Sequence, residues 1–389
     1  MNLTCKRIPI TLMLLILFSV CHAQSVIIRS DIKLPKDSIV KKLLISSLNG
    51  FLAQKDKPNK DNSFVLKDDL LETSALLDEL KGMDKNLKLK DNNFYKCYLG
   101  NVVPHGDNNY IIQISYIGVA EGKPDLRASF TLQAKKRDSV FYFSSPLKRN
   151  TLTWKTKKMG NVTYHFKDTL AQADAKKYLE TVNFYDKKLD IPIRPISFYY
   201  CDGLPEALQI TGIDYKADYN GSTGDNLSSH TSEEGLVVGG GKVYQYCFDT
   251  HDLWHERLRY VVNTDVVNRP VDEGCAYLYG GSWGVSWPEV LARFKQYAAN
   301  NPNADWLASY TESTKFEDDE KPMYIAYALN ALIVQKVEKE KGFKPVLELA
   351  GCGHREKGDD NYFKALEKLT GITKANFNAK MWELLKAAK

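Results

Sequence analysis

The hydrophobic period of the chain changes near Gly82, and that change fixes much of what its first part can fold into. Before it, "DSIVKKLLISSLNGFLAQK" and "KDDLLETSALLDELKGM" carry apolar residues at helical spacing. Asp37 or Ser38 is placed to cap the first helix, and the second ends near Gly82. After it, "FYKCYLGNVVPHG", "NYIIQISYIGV", "LRASFTLQAKK" and "SVFYFSSPL" alternate and are rich in Tyr, Phe, Val and Ile. The turn-forming "GDNN", "EGKPD" and "KRD" separate them. Helices followed by an antiparallel meander make a small α+β domain, expected over residues 24–150. No catalytic constellation lies in this part, and His105 falls in a turn.

Ahead of that domain stands a different kind of segment. "CKR" is a basic start, "IPITLMLLILFSV" is an apolar run short for a bilayer, and "CHAQ" places small or neutral residues around a cleavage point after Ala23. Residues 1–23 therefore read as a secretory signal peptide, with a retained N-terminal anchor as the competing reading. A lipoprotein through Cys21 is a further option, weakened by Val20 before it. No later stretch is apolar enough to span a membrane, so the expectation is an exported, soluble protein in the periplasm or at the cell surface of a Gram-negative bacterium. The net charge of +5 falls when Lys6 and Arg7 leave with the signal, and no basic stripe with interleaved aromatics is present, which argues against nucleic acid. Of seven cysteines, Cys97, Cys201, Cys247, Cys275 and Cys352 follow the signal. Their wide spacing and the lack of CxxC point to small buried hydrophobes, with one disulfide possible in an oxidising compartment.

A polar, cationic stretch, "NTLTWKTKKMGN", marks the expected boundary, with a second domain over 160–389. "NVTYHF" and "RPISFYYCD" read as strands around a helix capped near Asp168, with Ala173, Tyr178, Val182 and Tyr185 near one face. Residues 212–235 read as a long polar loop carrying a solvated His230, and "LVVGGGKVYQYCF" as a strand or hairpin. Beyond it the pattern is mostly helical, over 251–263, 272–280, 286–300, 322–341, 343–351, 359–370 and 374–388.

The chemistry concentrates in "HDLWHERLR". His251 and His255 are at i and i+4, so both rings leave one helix face a turn apart, as two zinc ligands would. Two ligands do not make a site. Glu273, in "RPVDEGCAYLYGG", is the candidate third, eighteen residues past His255, with Gly274 after it allowing close backbone approach. A histidine pair on an ordinary helix is the competing reading.

HxxxH followed by "DEGCAY", matching at Glu273, Gly274, Ala276 and Tyr277, resembles the gluzincin metallopeptidases: thermolysin-like, aminopeptidase N-like and peptidase MA-like enzymes. The tail, "YIAYALNALIVQKVEKEKGFKPVLELAG" and then "NYFKALEKLTGITKANFNAKMWELL", resembles peptidase MA-like domains, so the likeness covers roughly 160–389. In element order alone, residues 24–150 resemble cystatin-like or nuclear-transport-factor-like folds. The resemblance implies an α+β chain whose cystatin-like domain precedes a mostly helical gluzincin-like catalytic domain. It implies Zn2+ on His251, His255 and Glu273, a peptide or protein substrate, and hydrolysis by a zinc-activated water. The family motif is HExxH, and here Asp252 stands where its Glu is the general base, one methylene shorter. Glu256 is the next carboxylate. A Tyr or His beyond the third ligand often steadies the oxyanion in this family, which makes Tyr310, Tyr324 and Tyr327 candidates. Asp249 or Asp272 could hold a ligand imidazole. "GGSWGVSW" shapes the cleft or is a tight turn, Trp254 belongs to the core, and His354 is expected in a solvated loop. Two rival functions remain: a catalytically inactive gluzincin-like binding protein of the envelope, favoured by Asp252, and a glycan or envelope-polymer binding protein.

Overall fold

The computed structural model describes residues 25–221, 226–239, 249–317 and 321–388. The expected signal peptide, Cys247 and most of the hairpin after Gly239 lie outside these residues. The fold is mixed α and β. A short β1 (Ile27–Ile28) precedes helices α1 (Ser38–Ala53) and α2 (Leu70–Leu80), and then the meander β2 (Lys96–Pro104), β3 (Asn109–Ala120), β4 (Lys123–Arg137) and β5 (Val140–Ser144). Asp37 caps α1 through Ile39 and Val40 N–H, as its position next to an apolar-periodic run requires. After the turn α3 (Leu147–Asn150), the chain forms β6 (Lys155–Met159), β7 (Val162–Phe166), α4 (Gln172–Leu189), β8 (Ile196–Tyr200), α5 (Leu204–Thr211), β9 (Ile213–Lys216), β10 (Leu227–His230) and β11 (Gly235–Gly239). Helices dominate from there: α6 (Thr250–Leu258), α7 (Arg269–Gly280), α8 (Trp287–Asn300), α9 (Trp306–Thr311), α10 (Ile325–Lys341), α11 (Lys344–Ala350), α12 (Asp360–Thr370) and α13 (Phe377–Ala387). A small ribbon of β12 (Lys315–Glu317) and β13 (Met323–Tyr324) lies between α9 and α10.

Residues 212–235 are not all loop. Within them, β9 joins the N-terminal sheet by pairing with β4, and β10 forms an edge of the second sheet. These strands are short and polar, and only their partners make them strands. Helix α4 also begins later than the Asp168 cap: Ala171 precedes it with no side-chain cap, and Ala175 rather than Ala173 is buried beside Tyr178, Val182 and Tyr185.

The second sheet runs β10-β11-β8-β7-β6, with β11, β8 and β7 parallel and both edge strands antiparallel. It is covered on both faces, so its central strands read as continuous apolar runs rather than as alternating ones. Phe198, Tyr200 and Val237 face a core shared with α4, α6, α7 and α10, whereas Tyr199, Leu236 and Val238 face the core of the N-terminal sheet and α2. This sheet thus fixes α6 relative to everything N-terminal of it.

Helix α7 packs against α10 at Gly274. A Cβ there would meet Asn330 Cβ at 2.6 Å and Ala331 N at 2.8 Å. Asn330 cannot retreat, because it is fully buried, donates to Ala326 O at 2.8 Å and accepts from the Tyr362 hydroxyl at 2.9 Å. Gly274→Ala is therefore expected to cost about 1–3 kcal/mol by overpacking. Urea unfolding measures it, and an unchanged midpoint would show that the two helices are not held this closely.

Candidate metal centre

Helix α6 is fixed at its start. Asp249 accepts from His251 N–H at 2.8 Å, Tyr185 Oη donates to Thr250 O at 2.9 Å, and Thr250 Oγ1 donates to Gly280 O at 2.6 Å. At Gly280 a Cβ would lie 2.6 Å from Thr250 O and 2.7 Å from His251 N, so the α7 end and the α6 start meet backbone to backbone. Trp254 is fully buried, edge-on to Tyr185 at 5.3 Å, which fixes the helix's rotation.

With α6 so held, His251 Nε2 lies 3.2 Å from His255 Nε2 and 3.3 Å from Glu273 Oε2. Ligand atoms about 2.0–2.1 Å from a shared tetrahedral centre stand about 3.3–3.4 Å apart, so these separations fit one zinc ion. His251, His255 and Glu273 are the one such group of three among the described residues.

The other ring nitrogens are engaged too. His251 Nδ1 is 2.8 Å from Gly281 O, and because a carbonyl only accepts, Nδ1 carries the proton and Nε2 presents its lone pair. His255 Nδ1 is 2.9 Å from Asp272 Oδ1, although the carboxylate sits off the ring's N–H line; the same oxygen accepts from Trp254 Nε1 at 3.2 Å. Carboxylate and carbonyl partners of this kind set ring orientation in metal sites. Burial alone would lower the His251 pKa, but hydrogen bonds to Glu273 and Gly281 outweigh it and hold the imidazole up at about 9. Burial likewise pushes the Glu273 carboxyl up, and His251, His255 and Arg269 bring it below its ordinary value.

The remaining candidates divide. Asp252 is exposed and lines a cleft of about 670 Å³ together with His255, Glu256 and Glu273. Glu256 is half-buried, with its carboxyl pushed up by burial and moderated by a hydrogen bond to Ser228. Tyr324 is tied to the ligands only indirectly: its N–H donates to Tyr277 Oη at 3.4 Å, and the Tyr277 ring is 5.8 Å from that of His251. Tyr327 lies 5.1 Å from Tyr324 and hydrogen-bonds Arg269, which in turn donates to Glu273 Oε1 at 3.3 Å. Tyr310 is core, fully buried and stacked on Tyr362 at 5.3 Å. "GGSWGVSW" is a tight turn closed by a Ser282–Val285 bridge, and its Gly281 carbonyl is the one that orients His251. Trp287 is buried, and Trp283 is half-exposed with its indole donating to Pro322 O at 3.0 Å.

Two further residues join this site. His354, expected to be simply solvated, is exposed but lines the same cleft, as does Arg259. Arg259 is marked by its spacing four residues past His255, whereas no local pattern marks His354, because its loop reaches the cleft only through tertiary packing. Cys97, Cys201 and Cys275 are buried and Cys352 is half-buried, all as free thiols.

A scan of protein-family models and a search of curated proteins find no match to this chain.

Proposed function

We propose that this protein is an exported, zinc-dependent peptidase of gluzincin type, with His251, His255 and Glu273 as ligands and Asp252 as general base. The observation that carries the reading is that His251 Nε2 stands at tetrahedral-edge distance from both His255 Nε2 and Glu273 Oε2, all three ligand atoms lying within 4.8 Å of one another, with His251 Nδ1 held by Gly281 O and Asp272 beside His255 Nδ1. Zinc, when bound, supplies Lewis-acid polarisation of a scissile carbonyl and lowers the pKa of a water. The chain's own residues do the rest. Gly281 keeps His251 Nε2 aimed at the cluster, Asp272 places a negative charge beside His255 Nδ1, and Glu273 contributes the anionic ligand. Asp252 stands on the cleft wall one residue past His251, where its carboxylate takes the proton of the attacking water and delivers it to the leaving amine. In this reading the domain over residues 24–150 serves for placement or binding, with the cystatin-like element order.

Asp252 also motivates the second reading, a metal-holding envelope protein without turnover, because the side chain is short and exposed. A base misplaced by about 1 Å loses on the order of 100-fold in rate. Asp252→Glu is therefore expected to raise peptide hydrolysis by up to about that factor, and Asp252→Ala to remove it while leaving bound zinc unchanged. Fluorogenic peptide turnover with and without chelator is the assay. Chelator-insensitive turnover, or full activity in Asp252→Ala, would defeat the peptidase reading; zinc binding with no turnover in any variant would favour the binding protein.

A further inference from the structure

We propose that this cleft selects a carboxylate on its substrate, seated between Arg259 and His354, one to two residues from the reacting carbonyl. The proposal rests on the peptidase reading above and names its substrate class.

The cleft-lining positions Asp252, His255, Glu256, Arg259 and Val262 step by three and four along one helical face. The helical course persists past Leu258, since Arg259 N–H donates to His255 O at 3.3 Å and Val262 N–H to Leu258 O at 2.9 Å. Arg259 therefore stands about one turn beyond His255, about 6 Å along the axis. An extended residue spans about 3.3–3.6 Å, so a group held by Arg259 is one to two residues from a carbonyl held at the cluster.

His354 reaches the same cleft from a loop that is built rather than loose. Gly353 N–H donates to Val266 O at 2.9 Å, and Asn268 Nδ2, from a fully buried side chain, donates to Gly353 O at 2.9 Å. Asn361 Nδ2 donates to His354 O at 2.8 Å. Gly353 has φ +107°, a conformation that other residues rarely adopt. Backbone on both sides of the imidazole is thus fixed, while the ring stays exposed on the cleft. Ordering a surface loop costs conformational entropy, and a solvated ring returns none of it through packing.

Charge gives the sign of the ligand. The carboxylates near the cluster already have partners: Glu273 with His251 and Arg269, Asp272 with His255 and Trp254, and Glu256 with Ser228 and, through charge, Arg259; Asp252 adds a further negative charge to the wall, and the exposed Arg259 keeps most of its donors on the cleft. The Arg259 end offers a planar guanidinium fork and an imidazole to an incoming group, a donor set that suits a carboxylate. That carboxylate is either the C-terminus of the peptide or an acidic side chain.

The test uses zinc-loaded protein and two matched peptide pairs. One pair differs in a free or amidated C-terminus, the other in Glu or Gln one or two residues past the cleaved bond. Binding is measured by calorimetry, with and without zinc, and turnover as kcat/KM. One acid form is expected to bind and react about 10- to 100-fold better than its amide, as charged hydrogen bonds discriminate. The preference should vanish in Arg259→Gln and in His354→Asn, with zinc content unchanged; which pair shows it identifies the source of the carboxylate. Equal treatment of acid and amide, a preference that survives both substitutions, or no binding of any peptide overturns the proposal. Turnover without acid preference overturns it while sparing the peptidase reading, and acid-selective binding without turnover does the reverse.

Discussion

Protein spanning residues 24–389, purified without chelator, is expected to hold about one zinc ion per chain, and His251→Ala to hold none. The expectation follows from geometry: His251 Nε2 is the atom that lies within 3.3 Å of both other ligands, so its loss leaves two donors, too few to make a site. Asp272→Asn makes a graded version of the same test. It keeps an oxygen beside His255 Nδ1 but removes the negative charge next to the ligand ring, and it should weaken zinc binding by about 10- to 100-fold. Atomic absorption on the purified proteins and competition with a chromogenic chelator read both effects. Full zinc content in His251→Ala would show that the ion sits elsewhere.

The second large effect lies behind the site. Asp186 on α4 and Arg257 on α6 form an ion pair buried to 2% and 5% exposure, with Nε at 2.6 Å and Nη2 at 2.5 Å from the same carboxylate oxygen. Burial pushes the Asp186 carboxyl up, and Arg257 pulls against it. Such a pair contributes little net stability, but half of one is costly, because the remaining charge has no route to water. Asp186→Ala or Arg257→Ala alone should cost about 3–5 kcal/mol. The double replacement Asp186→Leu with Arg257→Met should recover most of that loss. Chemical denaturation of the two single variants and the double variant gives the coupling directly. Strictly additive losses would mean that the two groups are not paired in solution.

Much of this architecture could be read from the chain, for identifiable reasons. Both N-terminal helices, the four meander strands and most C-terminal helices follow from period, because each buries one continuous face. The elements that escaped are those whose identity is tertiary. β9 and β10 are four-residue polar strands. Their hydrogen bonds come from β4 and β11, which their own sequence does not name. Helices α5 and α9 are eight and six residues long, too short for a helical period to be told from a strand or loop. The same division holds at the site. His251, His255 and Glu273 were visible because helical spacing forces two of them together and a family-like pattern pointed to the third. Asp249 and Asp272 are equally legible as orienting carboxylates, and tertiary packing separates them: Asp249 caps α6 while Asp272 stands beside His255 Nδ1. The Gly281 carbonyl was not, since a main-chain acceptor leaves no trace in sequence, and His354 was dismissed because nothing in "GCGHREKGDD" shows where its loop docks.

The pairing of β9 with β4 also has a consequence in time. β5 covers β4 along one end, Gln133–Arg137, and β9 covers the neighbouring stretch Ala128–Phe130. During synthesis, everything from β6 through α5 must emerge before β9 can arrive. Until then that stretch of β4 lacks its last partner, and the apolar face that later meets Tyr199, Leu236 and Val238 lacks its cover. An incomplete sheet edge beside uncovered apolar surface is the kind of intermediate that invites aggregation. The nascent chain therefore passes through an interval in which this edge and apolar face are uncovered, and that is where a holding chaperone would act.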